Sequence, residues 1–159
     1  MNEVKQHKVK DIFVQGPIDP SFVGTSIAKH ATRHDIGAHE IFLGQIRADG
    51  PVVTSSEAET RQPVTAIEYT AYREMALEAM TAIREEAFIR WPEMTCLHVH
   101  HSLGIIPVGQ LCFMVFASSK HRRHAREAVA YVVDRIKSEL PIFGKEIFAD
   151  NTHQWKHNT

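Results

Sequence analysis

The chain has 159 residues, enough for one domain with a real core and too few for two ordinary ones. Hydrophobic residues make up 43% and charged residues 23%, the composition of a soluble globular class. The formal net charge of -1 gives bulk electrostatics no means of recruiting nucleic acid or an acidic membrane.

The N-terminus "MNEVKQHKVK" has no apolar h-region, and no run of about 18 apolar residues occurs, so the expected compartment is the cytoplasm. "VKDIFVQ" (9–15) alternates like a strand. "GPIDP" turns the chain, with Asp19 as an N-cap and Pro20 as a first helical position. A short helix to about residue 33 follows, with Phe22, Ile27 and Ala31 expected to face inward. "GAHEIFLGQIR" (37–47) reads as a buried strand. Residues 48–63, "ADGPVVTSSEAETRQP", are polar and turn-rich and predict a mobile loop.

"VTAIEYTAY" (64–72) resumes strand character. A helix follows in which Tyr72, Met75, Ala79, Ile83 and Ala87 keep helical spacing, and it ends near Trp91 because Pro92 restricts the residue before it. "MTCLHVHHSLG" and "GQLCFMVFAS" form a predicted hairpin around "IIPVG". A second long helix starts near Ser119, capped by Ser118 or Ser119, with Ala125, Ala128, Val129, Val132, Val133 and Ile136 as its apolar stripe. "PIFGKEIF" is a last strand, and a polar tail begins at about residue 149. The order β-α-β-β-α-β-β-α-β predicts a single α+β domain, a two-layer sandwich of helices on a mixed or antiparallel sheet.

Several side chains are candidates for chemistry. Eleven histidines make the charge state sensitive to mildly acidic pH. His98 and His100 share a strand face, and His121 and His124 share a helix face. Either pair could give two zinc ligands, but the sequence offers no recognisable third, so surface or hydrogen-bonded histidine is the expected reading. Cys96 and Cys112 fall in apolar runs and read as small buried hydrophobes in a reducing compartment.

"SSKHRRH" (118–124) crowds cations at a helix N-terminus, where they oppose the macrodipole at a cost of about 0.3–1 kcal/mol each. An anion there would meet backbone N–H groups and guanidinium forks together. Arg47 closes a strand beside the loop, Lys137 lies in the last turn of its helix, and Lys145 sits in an apolar strand next to Gly144. Together these groups suit an anionic, phosphate-bearing ligand.

"GAHEIFLGQIR", "AIEYTAYREMA", "RWP", the "HH…G…PVG" hairpin, "SSKHRRHAREA" and "KSELPIFGKE" occur in an order that resembles the large, catalytic subunit of molybdopterin synthase, from about Gly37 to about Trp155. The resemblance implies a hammerhead-like α+β fold, a homodimer, and a heterotetramer with a small ubiquitin-like sulfur carrier. That partner's C-terminal Gly-Gly thiocarboxylate enters a pocket, and sulfur passes to cyclic pyranopterin monophosphate to make the molybdopterin dithiolene. No metal and no cofactor is implied.

By the same resemblance, Lys137 and Lys145 are catalytic. Phe42, Gln45, Arg47, His121, Arg122 and Glu146 bind substrate, with His121 and Arg122 supplied across the dimer. The family's second lysine falls at Gly144, so Lys145 serves only if the strand carries a one-residue bulge or has changed face. The family's C-terminal arginine has no obvious counterpart, Lys156 and His157 being the nearest cations. The alternatives are a non-catalytic dimer that binds a phosphate or a peptide tail, and a histidine-based metal hydrolase.

Overall fold

The computed structural model describes residues 11–49 and 62–157. Most of the expected loop at 48–63 lies outside these residues. The elements run β1 (Phe13–Gln15), α1 (Ser21–Lys29), β2 (Ala38–Gln45), β3 (Val64–Ala71), α2 (Arg73–Arg90), β4 (Met94–Pro107), β5 (Leu111–Ser119), α3 (Arg122–Glu139), β6 (Ile142–Phe148) and β7 (His153–Trp155). This is the expected α+β order with one further strand. Residues 153–155 of the polar tail pair antiparallel with β6.

The strands form one mixed sheet in the order β2-β5-β4-β3-β6-β7, with β1 parallel to β4. β5 is buried on both faces, so "LCFMVFASS" reads as an apolar run rather than an alternation. β4 serves three neighbours. Met94 to His101 pair with β5, His101 to Leu103 with β1, and Gly104 to Pro107 with β3. The change of partner coincides with Gly104, whose φ of +86° is open to glycine at no steric cost.

α2 and α3 pack on one face of the sheet. α3 buries Ala125, Ala128, Val129, Val132 and Ile136, the stripe its spacing predicts. Burying a Val or Ile side chain contributes about 1.5–3 kcal/mol, so this stripe fixes α3 and the Lys137 that follows it. α2 buries the expected Ile83 and Ala87, and Ala76 and Met80 in place of Tyr72, Met75 and Ala79. Tyr72 and Met75 are exposed. Alanines at 76 and 87 let the helix lie close to the sheet, and that rotation turns Tyr72 out against Phe143, 5.7 Å between centroids.

On the other face, α1 covers a smaller cluster of Ile18, Met114 and Phe116. Its only buried residue is Ser26, and Phe22 and Ile27 are exposed, contrary to the inward positions expected for them. A nine-residue helix offers few inward positions, and Val23 takes the one against the Ile18, Met114 and Phe116 cluster. Asp19 does cap the helix, its carboxylate accepting the Ser21 N–H at 2.9 Å. At α3 the expected serine cap is absent. Ser118 and Ser119 belong to β5 and are fully buried, and His121 is the N-cap residue with no side-chain cap bond. No described helix is long and apolar enough to cross a membrane.

Candidate active site

A cleft of about 310 Å³ opens where the ends of β2, β6 and α3 meet the last strand. Phe42, Gln45, Arg47, Lys137, Glu146 and Lys156 line it. β2 supplies Phe42 and Gln45, its register breaking between Gly44 and Gln45, and Arg47 follows two residues beyond the end of the strand. A Cβ at Gly44 would stand 3.2 Å from the Phe113 Cβ, tighter than ordinary contact, so glycine lets the strand press this close without displacing Phe113. Irregularities of this kind re-aim side chains at strand ends. Arg47 projects into solvent and pairs with Asp49 at 3.0 Å.

Lys137 comes from the last turn of α3, where the dipole favours a cation. Its Nζ stands 5.1 Å above the Phe113 ring, and Phe113 meets Phe42 edge-on. Burial pushes the Lys137 ammonium below the usual lysine value, the Cys112 thiol works against that, and the Lys156 cation adds to it. Lys156 arrives with β7, its backbone N–H donating to the Gly144 carbonyl at 2.8 Å. The lining carries three cations, Arg47, Lys137 and Lys156, against the carboxylates of Asp49 and Glu146. Such a cleft favours an anion.

Beneath it lie two buried groups. His101 packs edge-on to Tyr69 and 5.3 Å from Phe113, and its Nδ1 donates to the Ser102 carbonyl. Burial pushes its pKa down to about 4, and Lys137 nearby adds to the effect. Cys112 sits against the Gly44 carbonyl, and burial pushes its thiol up, away from the reactive thiolate. That is the buried, inert cysteine the sequence predicts. Cys96 differs, being half-buried and in contact with His30.

Lys145 does not line the cleft. The pairing of β6 with β3 runs without slip from Ile142 to Ile147, so there is no bulge before Lys145. Lys145 stands opposite Glu68 and its Nζ pairs with the Glu68 carboxylate at 3.1 Å. Alternation then gives Gly144 and Glu146 the other face. A side chain at 144 would meet Ile67 and Tyr69 at 3.1 Å, against the core.

His121 and Arg122 line a second cavity, of about 420 Å³, with Gly37, Lys120 and Arg123. It sits at the N-terminus of α3, where backbone N–H groups are exposed. Arg123 pairs with Glu127, and the His121 and His124 rings approach the Glu93 carboxylate at 3.8 and 3.0 Å. One chain therefore unites Phe42, Gln45, Arg47, Lys137 and Glu146, and leaves His121 and Arg122 in a cavity at the opposite end of α3. Lys156 joins the first group through β7, a pairing that two or three alternating polar residues hardly signal in sequence.

The family model for the MoaE protein matches residues 16–139. The molybdopterin synthase catalytic subunit 1 of Aedes aegypti is 35% identical over 124 residues, 77% of this chain and 74% of the relative. The crystal structure of molybdopterin synthase from Staphylococcus aureus superposes with a TM-score of 0.74 at 26% identity, covering 94% of this chain and 98% of that one. A complex of subunits 1 and 2 of the molybdopterin-converting factor from Helicobacter pylori superposes at 0.71 over 90% of this chain and 87% of its own. At 19% identity that likeness speaks for the fold alone. With the family model spanning most of its length and the fold shared throughout, this chain belongs to the MoaE family.

Proposed function

We propose that this chain is the catalytic subunit of molybdopterin synthase, and that the cleft of Arg47, Lys137 and Lys156 is where sulfur is transferred. The observation that carries this reading is the convergence of three cations, one of them a half-buried lysine on an aromatic floor, in a single cleft.

The substrate is a cyclic pterin phosphate, and the sulfur donor is the thiocarboxylated Gly-Gly tail of a small ubiquitin-like partner. Arg47 and Gln45 hold the pterin, and Phe42 gives its ring an apolar wall. His121 and Arg122 of a second copy reach over from the α3 N-terminus to take the phosphate, which explains why one chain keeps them apart from Lys137. The assembly is then a homodimer of this chain carrying one small subunit on each half, in the cytoplasm.

Lys137 offsets the negative charge on the thiocarboxylate as its sulfur forms a bond to a pterin side-chain carbon and the oxygen on that carbon leaves, as water or as the opened phosphate. It then stabilises the oxyanion formed when water attacks the tail's carbonyl, a step that leaves sulfur on the pterin and a carboxylate on the tail. Depressed basicity suits it to pass a proton as well. The second lysine role falls to Lys156 rather than Lys145, which is held by Glu68 on the far face of β6. Glu146 orients the substrate from the near face.

Reconstitution tests this. Mixed with a thiocarboxylated carrier and the cyclic pterin phosphate, the chain should yield the dithiolene product. Tight binding of the tail with no dithiolene would establish the non-catalytic reading instead.

A further inference from the structure

A second group of polar side chains lies on the opposite face of the sheet. Cys96 and His98 are two apart on β4 and point the same way, while Leu97, Val99 and His101 point toward α2 and α3. His30 closes the C-terminus of α1 above them. One ligand atom from each of His30, Cys96 and His98 can be chosen so that all three lie within 4.8 Å of one another. His30 Nε2 is 3.0 Å from the Cys96 Sγ. The Phe116 ring forms the floor, 5.6 Å from His30 and 5.9 Å from His98.

We propose that His30, Cys96 and His98 form a metal site for a zinc-like divalent ion that clamps α1 to the sheet. Four features carry it. The His30 Nδ1 lies 2.5 Å from the Ser26 carbonyl, so that nitrogen carries the proton and Nε2 presents its lone pair to the centre of the group. A backbone carbonyl holding the remote ring nitrogen is the usual second contact of a metal-bound histidine, fixing both tautomer and ring. One thiolate and two imidazoles form a borderline-soft donor set that suits zinc.

The spacing is also right. Zinc bonds of about 2.0–2.1 Å to nitrogen and 2.3 Å to sulfur set tetrahedral donor separations near 3.5 Å, within rotamer adjustments of those present. Finally, α1 buries only Ser26, so apolar packing gives it little hold and a metal would supply the join. The fourth position is open to water or to His39, whose ring centroid is 5.9 Å from that of His30. Binding releases the Cys96 proton to solvent and involves no redox change.

The site is separate from the sulfur-transfer cleft, so neither reading depends on the other. The test uses the full chain without a histidine tag, titrated with Co²⁺ and then Zn²⁺. One cobalt per chain should bind with a sulfur-to-metal charge-transfer band, and zinc should displace it. Cys96→Ser should abolish the band, His98→Gln should weaken binding at least about tenfold, the scale of losing a metal contact, and Cys112→Ser should keep the band. X-ray absorption of the zinc-loaded wild-type chain, which needs no variant to fold, should show one sulfur and two or more nitrogen neighbours. Substoichiometric binding, an all-nitrogen and oxygen shell, or a band that survives Cys96→Ser or disappears with Cys112→Ser would overturn the assignment.

Discussion

His101 should make the fold acid-sensitive in a window where most proteins are not. Its ring is 3% exposed and stands between Tyr69, Phe113 and the Lys137 cation. The pKa falls from an ordinary 6.5 to about 4. The unfolded chain therefore binds this proton first. Stability present above about pH 6.5 is lost as the pH falls toward about 4, and at about 1.4 kcal/mol per pH unit the full loss is about 3 kcal/mol. Roughly 2 kcal/mol of it should be gone at about pH 5, before most carboxylates titrate. The assay is urea denaturation at about pH 7.5 and about pH 5, comparing the wild type with His101→Gln. The variant should lose less stability on acidification than the wild type, by about 2 kcal/mol, whatever its stability at neutral pH. Parallel pH dependences would refute the reasoning, because they would mean that His101 is not held neutral by its surroundings.

Three further outcomes follow from the geometry. Lys156→Ala should slow sulfur transfer on the order of 10²-fold, whereas Lys145→Ala should change it less than about fivefold, the scale of an exposed ion pair; single-turnover rates for the two variants check this, and the reverse order would restore Lys145 to the site. Mixing inactive Arg122→Ala and Lys137→Ala chains should recover activity, since a mixed dimer holds one intact site; no recovery on subunit exchange would show that both groups act within one chain. Gly37→Ala would place a methyl 2.3 Å from the Lys120 carbonyl oxygen and should cost about 1–3 kcal/mol by chemical denaturation as the start of α3 is displaced; an unchanged midpoint would contradict that contact.

The fold was largely legible because its strands and long helices carry strong periodic signals. α3 shows why: its stripe is regular and apolar, and the same residues are buried. α2 was legible as a helix and in its C-terminal half, where Ile83 and Ala87 are buried as expected, but not in its first turns, where Ala76 is buried and a hydrophobic pattern underweights it against Tyr72 and Met75. The lysines show the limits at the site. "GPIDP" marks a turn and "PIFGKE" a strand locally, yet the face a residue takes depends on register, and a shift of one reverses it. Lys145 is one residue from the position the family pattern occupies, and that single step takes it out of the cleft. Lys156 depends on a short pairing between β7 and β6, a tertiary choice with almost no local signature. His30 and Cys96 are 66 residues apart, so no spacing motif could join them.

The central claim is that Lys137 does the electrostatic work of sulfur transfer in the cleft it shares with Arg47. Single-turnover dithiolene formation by folded Lys137→Ala, supplied with thiocarboxylated carrier and cyclic pterin phosphate, tests it most directly. The rate should fall by about 10²–10³-fold while the carrier still binds. A rate close to that of the wild type would contradict the account.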